Sequence, residues 1–279
     1  MKDRKNNKKR TGSNTRPSSK KFSDRPSFSK QASVDAENIV IGRNPVLELI
    51  KSGRTVEKIY IAHGEHEGSI KKIIAMAREA GLVIVEADKA KLENICGSKN
   101  HQGILAFCTD YTYFSVEEIL DYADERNEKP FLLVLDGIQD PGNLGALIRT
   151  ANASGVHGII LPKRGACGLT AAVFKAAAGA CEYVRLARVT NITDTIEQLK
   201  KRGVWIYGAD GDAEKDMYGT DFSGATAIVL GEEGKGLSRL VKEHCDFLTK
   251  IPMCGQINSL NVSVAGGVFM YEVFRQRKE

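Results

Sequence analysis

The side chains best suited to chemistry gather in three short segments, each directly after an apolar run. The first reads Leu135-Asp-Gly-Ile-Gln-Asp-Pro-Gly-Asn-Leu-Gly-Ala-Leu-Ile-Arg-Thr-Ala-Asn152. Asp140-Pro141-Gly142 makes a turn, and Asn143 is placed to start a helix, where the plain reading is a cap. Arg149 lies six residues on. At about 100° per residue the two side chains stand roughly 120° apart, near enough to border one cleft. The second segment reads Ile228-Val-Leu-Gly-Glu-Glu-Gly-Lys-Gly-Leu-Ser238. Its glycines at 231, 234 and 236 imply positive φ or a close approach to a ligand. The third reads Ile251-Pro-Met-Cys-Gly-Gln-Ile-Asn-Ser-Leu-Asn-Val-Ser-Val-Ala265, where Asn258, Ser259 and Asn261 can cap a last helix. Such amides and hydroxyls suit an uncharged ligand edge, adenine or a ribose.

Several familiar chemistries lack their residues. No GxGxxG follows a predicted strand and no GxxxxGK[ST] occurs, which argues against a dinucleotide fold and a P-loop. Gly231-Glu-Glu-Gly-Lys-Gly236 resembles a phosphate loop, but two carboxylates at its mouth would repel a phosphate. The serine-hydrolase elbow GxSxG is missing. His63 and His66 have no further convincing metal ligands beside them, and the six cysteines include no CxxC pair. No metal is expected.

Placing the three segments requires a framework, and the chain supplies two patterned regions. From 38 to 110, Asn44-Pro45 opens a helix with Asn44 as its cap, 56–62 reads as a strand, and 70–80 carries a helical apolar stripe. Strands follow at 82–85 and 103–108, with a helix capped by Asp88 between them. This is a small α/β domain. Residues 111–129, rich in Asp and Glu, read as a polar helix and linker. From Pro130, Phe131-Leu-Leu-Val-Leu135 fits a strand buried on both faces. Further strands at 158–161, 183–187, 204–209, 227–230 and 247–251, with helices between, imply a largely parallel sheet over 130–279.

Composition narrows the setting. Residues 1–30 hold 11 Lys/Arg against Asp3 and Asp24, and the remaining chain carries a net −4. The expected basic tail, 1–37, has few large apolar residues and is read as disordered. A polycation of this kind favours a polyanion, RNA first, with a merely solubilising tail as the alternative. A mitochondrial presequence would need an apolar helical stripe that is missing. With no apolar run of bilayer length, no secretory core and scattered thiols, a cytoplasmic protein without a membrane partner is expected.

Taken together the three segments resemble motifs one, two and three of the SpoU-type (TrmH-like) methyltransferases of the SPOUT superfamily: NxGxxxR, GxEGxG, and IP followed by SLNVSVA. Gly42-Arg-Asn-Pro-Val-Leu47 and His101-Gln-Gly-Ile104 are similar to the N-terminal RNA-binding domain of the RlmB-like branch, which modifies guanosine in large-subunit rRNA. The resemblance implies a trefoil-knotted catalytic domain, a homodimer, and methyl transfer from S-adenosylmethionine to a ribose 2′-hydroxyl of RNA. DNA is not an expected partner. It also implies cofactor contacts at Gly231, Ile251 and Leu260, and a catalytic and substrate-positioning set of Asn143, Arg149, Glu233, Ser259 and Asn261. Of the paired carboxylates, Glu233 is the match because it precedes Gly234. The family assigns the proton to the motif-one arginine, here Arg149, whereas a guanidinium clamp on substrate phosphate is the alternative. A tRNA methyltransferase or a non-catalytic RNA-binding relative are the competing functions. The last helix, with Val264, Val268, Tyr271 and Phe274 at helical spacing, is the expected dimer contact unless its own subunit buries that stripe.

Removing residues 1–30 takes away a charge of +9 and none of the motifs. Each lost phosphate contact lowers the log–log salt slope of RNA binding by about 0.7–0.9. The truncated chain is expected to bind RNA more weakly, with a slope smaller by about two to four. Titrations at low and moderate salt check this, and parallel plots with equal intercepts would exclude RNA as the tail's partner.

Overall fold

The computed structural model describes residues 38–64, 67–256 and 259–278; the basic tail, His66 and Asn258 lie outside the described residues. Strands β1 (Ile39–Ile41), β2 (Val56–Ala62), β3 (Ile84–Ala87) and β4 (Ile104–Cys108) form a sheet in the order β1-β4-β2-β3. Helix α1 (Arg43–Ser52) begins before the expected cap at Asn44. Gly42, at φ 103°, makes the entry, and the Arg43 amide donates to Gln102 Oε1 at 2.9 Å. A side chain 59 residues away therefore receives one of the helix's first amides, which no local pattern could announce. Helices α2 (Ser69–Glu79) and α3 (Lys89–Cys96) lie where apolar periodicity places them.

The linker segment carries α4 (Val116–Glu125), closed by a reciprocal pair in which Ser115 Oγ accepts from the Glu118 amide and Glu118 accepts from the Ser115 amide. Val116, Ile119 and Leu120 are buried on the larger sheet, so this helix has an apolar face as well as its acidic one. Gly158 makes the seat: a Cβ there would stand 2.5 Å from Ile119.

The larger sheet comprises β5 (Phe131–Asp136), β6 (Gly158–Pro162), β7 (Arg185–Val189), β8 (Trp205–Ala209), β9 (Lys215–Asp216), β10 (Thr226–Gly231) and β11 (Phe247–Lys250). Their order is β7-β6-β5-β10-β8-β11-β9, and every pairing is parallel. Alternate residues of β5 serve two cores, as a strand covered on both faces must. Leu133 and Leu135 meet α5 (Pro141–Ser154), α6 (Ala171–Ala176) and α9 (Val262–Lys278), while Leu132 and Val134 meet α4, α7 (Ile192–Lys201) and α8 (Arg239–His244). After β11 the chain returns past β10 to lay α9 on α5. The two-residue β9 is too short to carry a period and has no sequence signal.

The two sheets are bolted together by ions. Arg54 Nη1 stands 3.0 Å from Glu182 Oε1, with side chains only 11% and 5% exposed. Ser52 Oγ donates to the other Glu182 oxygen at 3.1 Å, Arg54 Nη2 donates to the Thr109 carbonyl at 2.6 Å, and the guanidinium lies 5.2 Å above the Phe174 ring. Stranding one partner of a buried pair costs about 3–5 kcal/mol. Arg54→Met is expected to lower the urea midpoint accordingly, and Arg54→Met with Glu182→Leu is expected to recover most of the loss.

Candidate active site

The three segments converge at the carboxyl ends of β5, β10 and β11. At the first, Asp140 caps α5, its Oδ1 accepting from the Asn143 amide at 2.7 Å, with Pro141 opening the helix. Asn143 thus sits inside the first turn instead of capping it, and its side chain is free for other partners. Asp136, ending β5, accepts from the Ser238 amide at 2.8 Å and ties the first segment to the second.

The second segment is a tight reversal. Glu232 and Gly236 exchange backbone hydrogen bonds of 3.1 and 2.8 Å, with Gly234 and Gly236 at φ 82° and 69°. A Cβ on Gly231 would fall 2.1 Å from the Gly236 backbone, so only glycine fits where β10 enters the turn. The adjacent carboxylates part company here. Glu232 turns to Lys235 at 2.9 Å, and Glu233 turns to the amides of the other two segments.

Those amides form a closed set. Asn143 Nδ2 donates to Glu233 Oε2 at 3.1 Å, while Asn261 Nδ2 donates to Asn143 Oδ1 at 2.9 Å and to Glu233 Oε1 at 3.4 Å. Asn261 Oδ1 in turn accepts from the Ser263 amide and hydroxyl at 2.9 and 2.6 Å, so the residue also caps α9. Beside the set opens a cavity of about 490 Å³. Gly231, Ile251 and Leu260 line it, as do Glu233 and Ser259. Asn143 and Asn261 reach it through Glu233 and are not in its wall. Arg149 is exposed on α5, makes no hydrogen bond or ion pair among the described residues, and lies outside the cavity wall.

Sequence reasoning passed over Asp210, which borders the same cavity just after β8. Burial pushes its carboxyl up, but Lys242 and the Asp212 amide draw it further down, to below the ordinary carboxylate range. The signal was present: Ala209-Asp-Gly-Asp212 follows an apolar strand as the other segments do. The lining is mixed: apolar Leu230, Ile251 and Phe269 stand with the hydroxyls of Thr249 and Ser259, the carboxylates of Asp210 and Glu233, and Lys250. That combination fits a flat heterocycle joined to hydroxyls and a cationic group.

The description "SpoU rRNA Methylase family" matches residues 130–271, and "RNA 2′-O ribose methyltransferase substrate binding" matches 39–114. A Bacillus subtilis (strain 168) protein assigned to the TrmH family of tRNA/rRNA methyltransferases is 45% identical over 238 residues, covering 85% of this chain and 95% of its own. A Staphylococcus haemolyticus protein of the same description is 42% identical over 241 residues, covering 86% and 96%. The fold is shared with the SpoU methyltransferase AviRb from Streptomyces viridochromogenes, crystallised with AdoMet, at a TM-score of 0.74, 24% identity and coverage of 87% and 91%. It is shared too with an AdoMet-bound rRNA methyltransferase from Sinorhizobium meliloti, at 0.69, 24%, and 85% and 87%. The chain belongs to the SpoU rRNA methylase family, and carries ahead of its methylase domain the substrate-binding domain of RNA 2′-O ribose methyltransferases.

Proposed function

We propose that this RNA ribose 2′-O-methyltransferase binds S-adenosylmethionine in the cavity beside Glu233 and methylates large-subunit rRNA, at a guanosine. The carrying observation is the Asn143–Glu233–Asn261 set, which gathers all three motif segments at the edge of one cavity of fitting chemistry. When bound, S-adenosylmethionine supplies an activated sulfonium methyl, so the protein has to orient the attacking hydroxyl and manage its proton. Gly231, Ile251 and Leu260 offer backbone and apolar surface to the heterocycle. Ser259 and Asn261 take the substrate side, and Glu233 is held in place by amides on both of its oxygens.

Arg149 is exposed and has no partner among the described residues, which favours a role toward RNA. A guanidinium fits a phosphate and keeps its charge, so it serves better as a clamp and a stabiliser of developing alkoxide than as a base. The domain matched as substrate-binding supports holding of RNA by residues 38–110, joined through 111–129 to the methyltransferase domain of 130–279. Large-subunit rRNA is favoured by the likeness of Gly42–Leu47 and His101–Ile104 to the RlmB-like branch. The tRNA reading has its support in relatives described as tRNA/rRNA methyltransferases. Six cysteines free of disulfides suit the reducing cytoplasm in which rRNA is modified.

A homodimer completes the reading. Val264 and Tyr271 are 52% and 50% exposed, while Val268 packs half-buried on its own core and Phe274 is half-buried, so only part of the stripe on α9 is consumed within its own subunit. A second copy is the occupant the family resemblance implies.

Three measurements test this. Methyl transfer from labelled cofactor to total rRNA and tRNA, with mapping of the product, is expected to mark a ribose in large-subunit rRNA; label in tRNA alone would reverse the substrate. Arg149→Ala is expected to lower turnover about 10²–10³-fold with cofactor affinity within about twofold, and an equal fall in both would remove Arg149 from the substrate side. Light scattering is expected to give about twice the 30.5 kDa chain mass, and Val264→Asp with Tyr271→Asp to return it to one chain.

A further inference from the structure

A second cavity, about 360 Å³, opens at the other end of β8, where Trp205 begins the strand that Ala209 ends beside the cofactor cavity. Its volume lies in the range of small-ligand clefts, about 300–1,000 Å³. A ladder of rings leads out to it from the core. Fully buried Phe222 meets Tyr207 edge-on at 4.8 Å, and Tyr207 stacks on Phe247 at 5.2 Å with planes 23° apart. Phe247 then meets Trp205 at 5.7 Å. The inner rings are buried, but Phe247 is 36% and Trp205 52% exposed. Lys215 Nζ stands 6.0 Å from the Phe247 ring centre, and the exposed Asp221 carboxylate, which accepts from the Ser223 amide at 2.9 Å, stands on the same rim.

We propose that this cavity holds a nucleobase of the RNA substrate, stacked on Trp205 and Phe247, with its exocyclic amine toward Asp221 and its phosphate toward Lys215. The proposal rests on the reading that RNA is the substrate. Aromatic rings ending a rigid ladder, the outer two inclined at 46°, give a base a preformed stacking seat at little entropic cost, the device used to hold single strands. The charges select the occupant. An apolar peptide side chain would desolvate Asp221 and Lys215 without pairing either, whereas an amino-bearing nucleotide offers a donor to one and an anion to the other. The slot also shares a wall with the catalytic cavity. Thr220 Oγ1, in the slot, lies 3.4 Å from Thr249 Oγ1, which lines the cofactor cavity. Along β8 the two openings are about 13 Å apart.

Trp205 is the chain's only tryptophan, so tryptophan emission, excited selectively over the eight tyrosines, reports this slot alone. The full-length protein is titrated with pentacytidylate and with pentauridylate, which lacks an exocyclic amine. Saturable quenching by pentacytidylate is expected, with pentauridylate at least about fivefold weaker. Phe247→Ala is expected to weaken pentacytidylate about 5- to 150-fold, the cost of one lost stack, while calorimetric S-adenosylmethionine affinity stays unchanged and shows the fold intact. Asp221→Ala is expected to erase the preference for cytidine. Oligonucleotide binding seen by anisotropy without a change in Trp205 emission would overturn the proposal. Emission that moves with protein concentration alone would place a second copy there and overturn it too. Methyl transfer to RNA that persists with a silent Trp205 sinks only the stacking slot, whereas absence of transfer to rRNA and tRNA sinks the functional reading itself.

Discussion

The amides of Asn143 and Asn261 meet over the 231–236 turn because α5 is allowed to lie unusually close to its neighbours on both sides. A Cβ at Gly145 would stand 2.4 Å from the Ala176 Cβ and 2.9 Å from the Val173 carbonyl, so α5 touches the α6 backbone directly. A Cβ at Gly266 would stand 2.4 Å from Leu147 and 2.7 Å from Leu230, so α9 drops into the groove between α5 and β10. These contacts fall two residues after Asn143 and five after Asn261, about 3 and 7.5 Å along the helix axes. A helix moved out by even one methyl radius would stretch the 2.9 Å Asn261–Asn143 bond beyond use. Packing density in the core therefore sets hydrogen-bond length at the site.

A second constraint acts at longer range. Glu182 follows α6 in a short helical turn, and its two oxygens are both used by the four-stranded sheet's side, one by Arg54 and one by Ser52. Glu48 adds a 2.6 Å bond from the Tyr183 hydroxyl. Since α6 also supports α5 through Gly145, the surface that carries α1 is referenced to the same helix as the Asn143 amide. A distance between an RNA contact on one sheet and a ribose at the other is thus held by packed backbone and a buried ion pair.

Much of this was legible because strand-end loops carry their own residues. Gly231 and Ile251, each beside a strand end, and Leu260, in the loop after β11, line one cavity, and the near-continuous apolar run of β5 announces a strand covered on both faces. The rest depends on contacts that no local pattern encodes. Asn143 reads as a cap until Asp140 is seen to take that role, and Gln102 receives an α1 amide from 59 residues away. The charge of α4 hides an apolar stripe of Val116, Ile119 and Leu120, whose partners lie on β5 and β6. The offset of Arg149 from Asn143 is correct as helix geometry, but a helix offset does not say which neighbours stand opposite each side chain. Asp210 lacked only a reason to look, since an acid after an apolar strand became telling once β8 was found beside the cavity.

The division of labour between Glu232 and Glu233 shows how charge is kept available at the site. Of the carboxylates bordering the cavity, Glu232 is matched by Lys235 and Asp210 by Lys242, while Asp212 is exposed to water. Glu233 is different: its partners are the neutral amides of Asn143 and Asn261, which fix its direction and do not cancel its charge. A lysine in their place would hold the carboxylate equally well and neutralise it. Amides leave the charge of this exposed carboxylate directed at the cavity it borders. Such a charge attracts a cationic group. The choice of asparagine at 143 and 261 is therefore electrostatic as well as geometric.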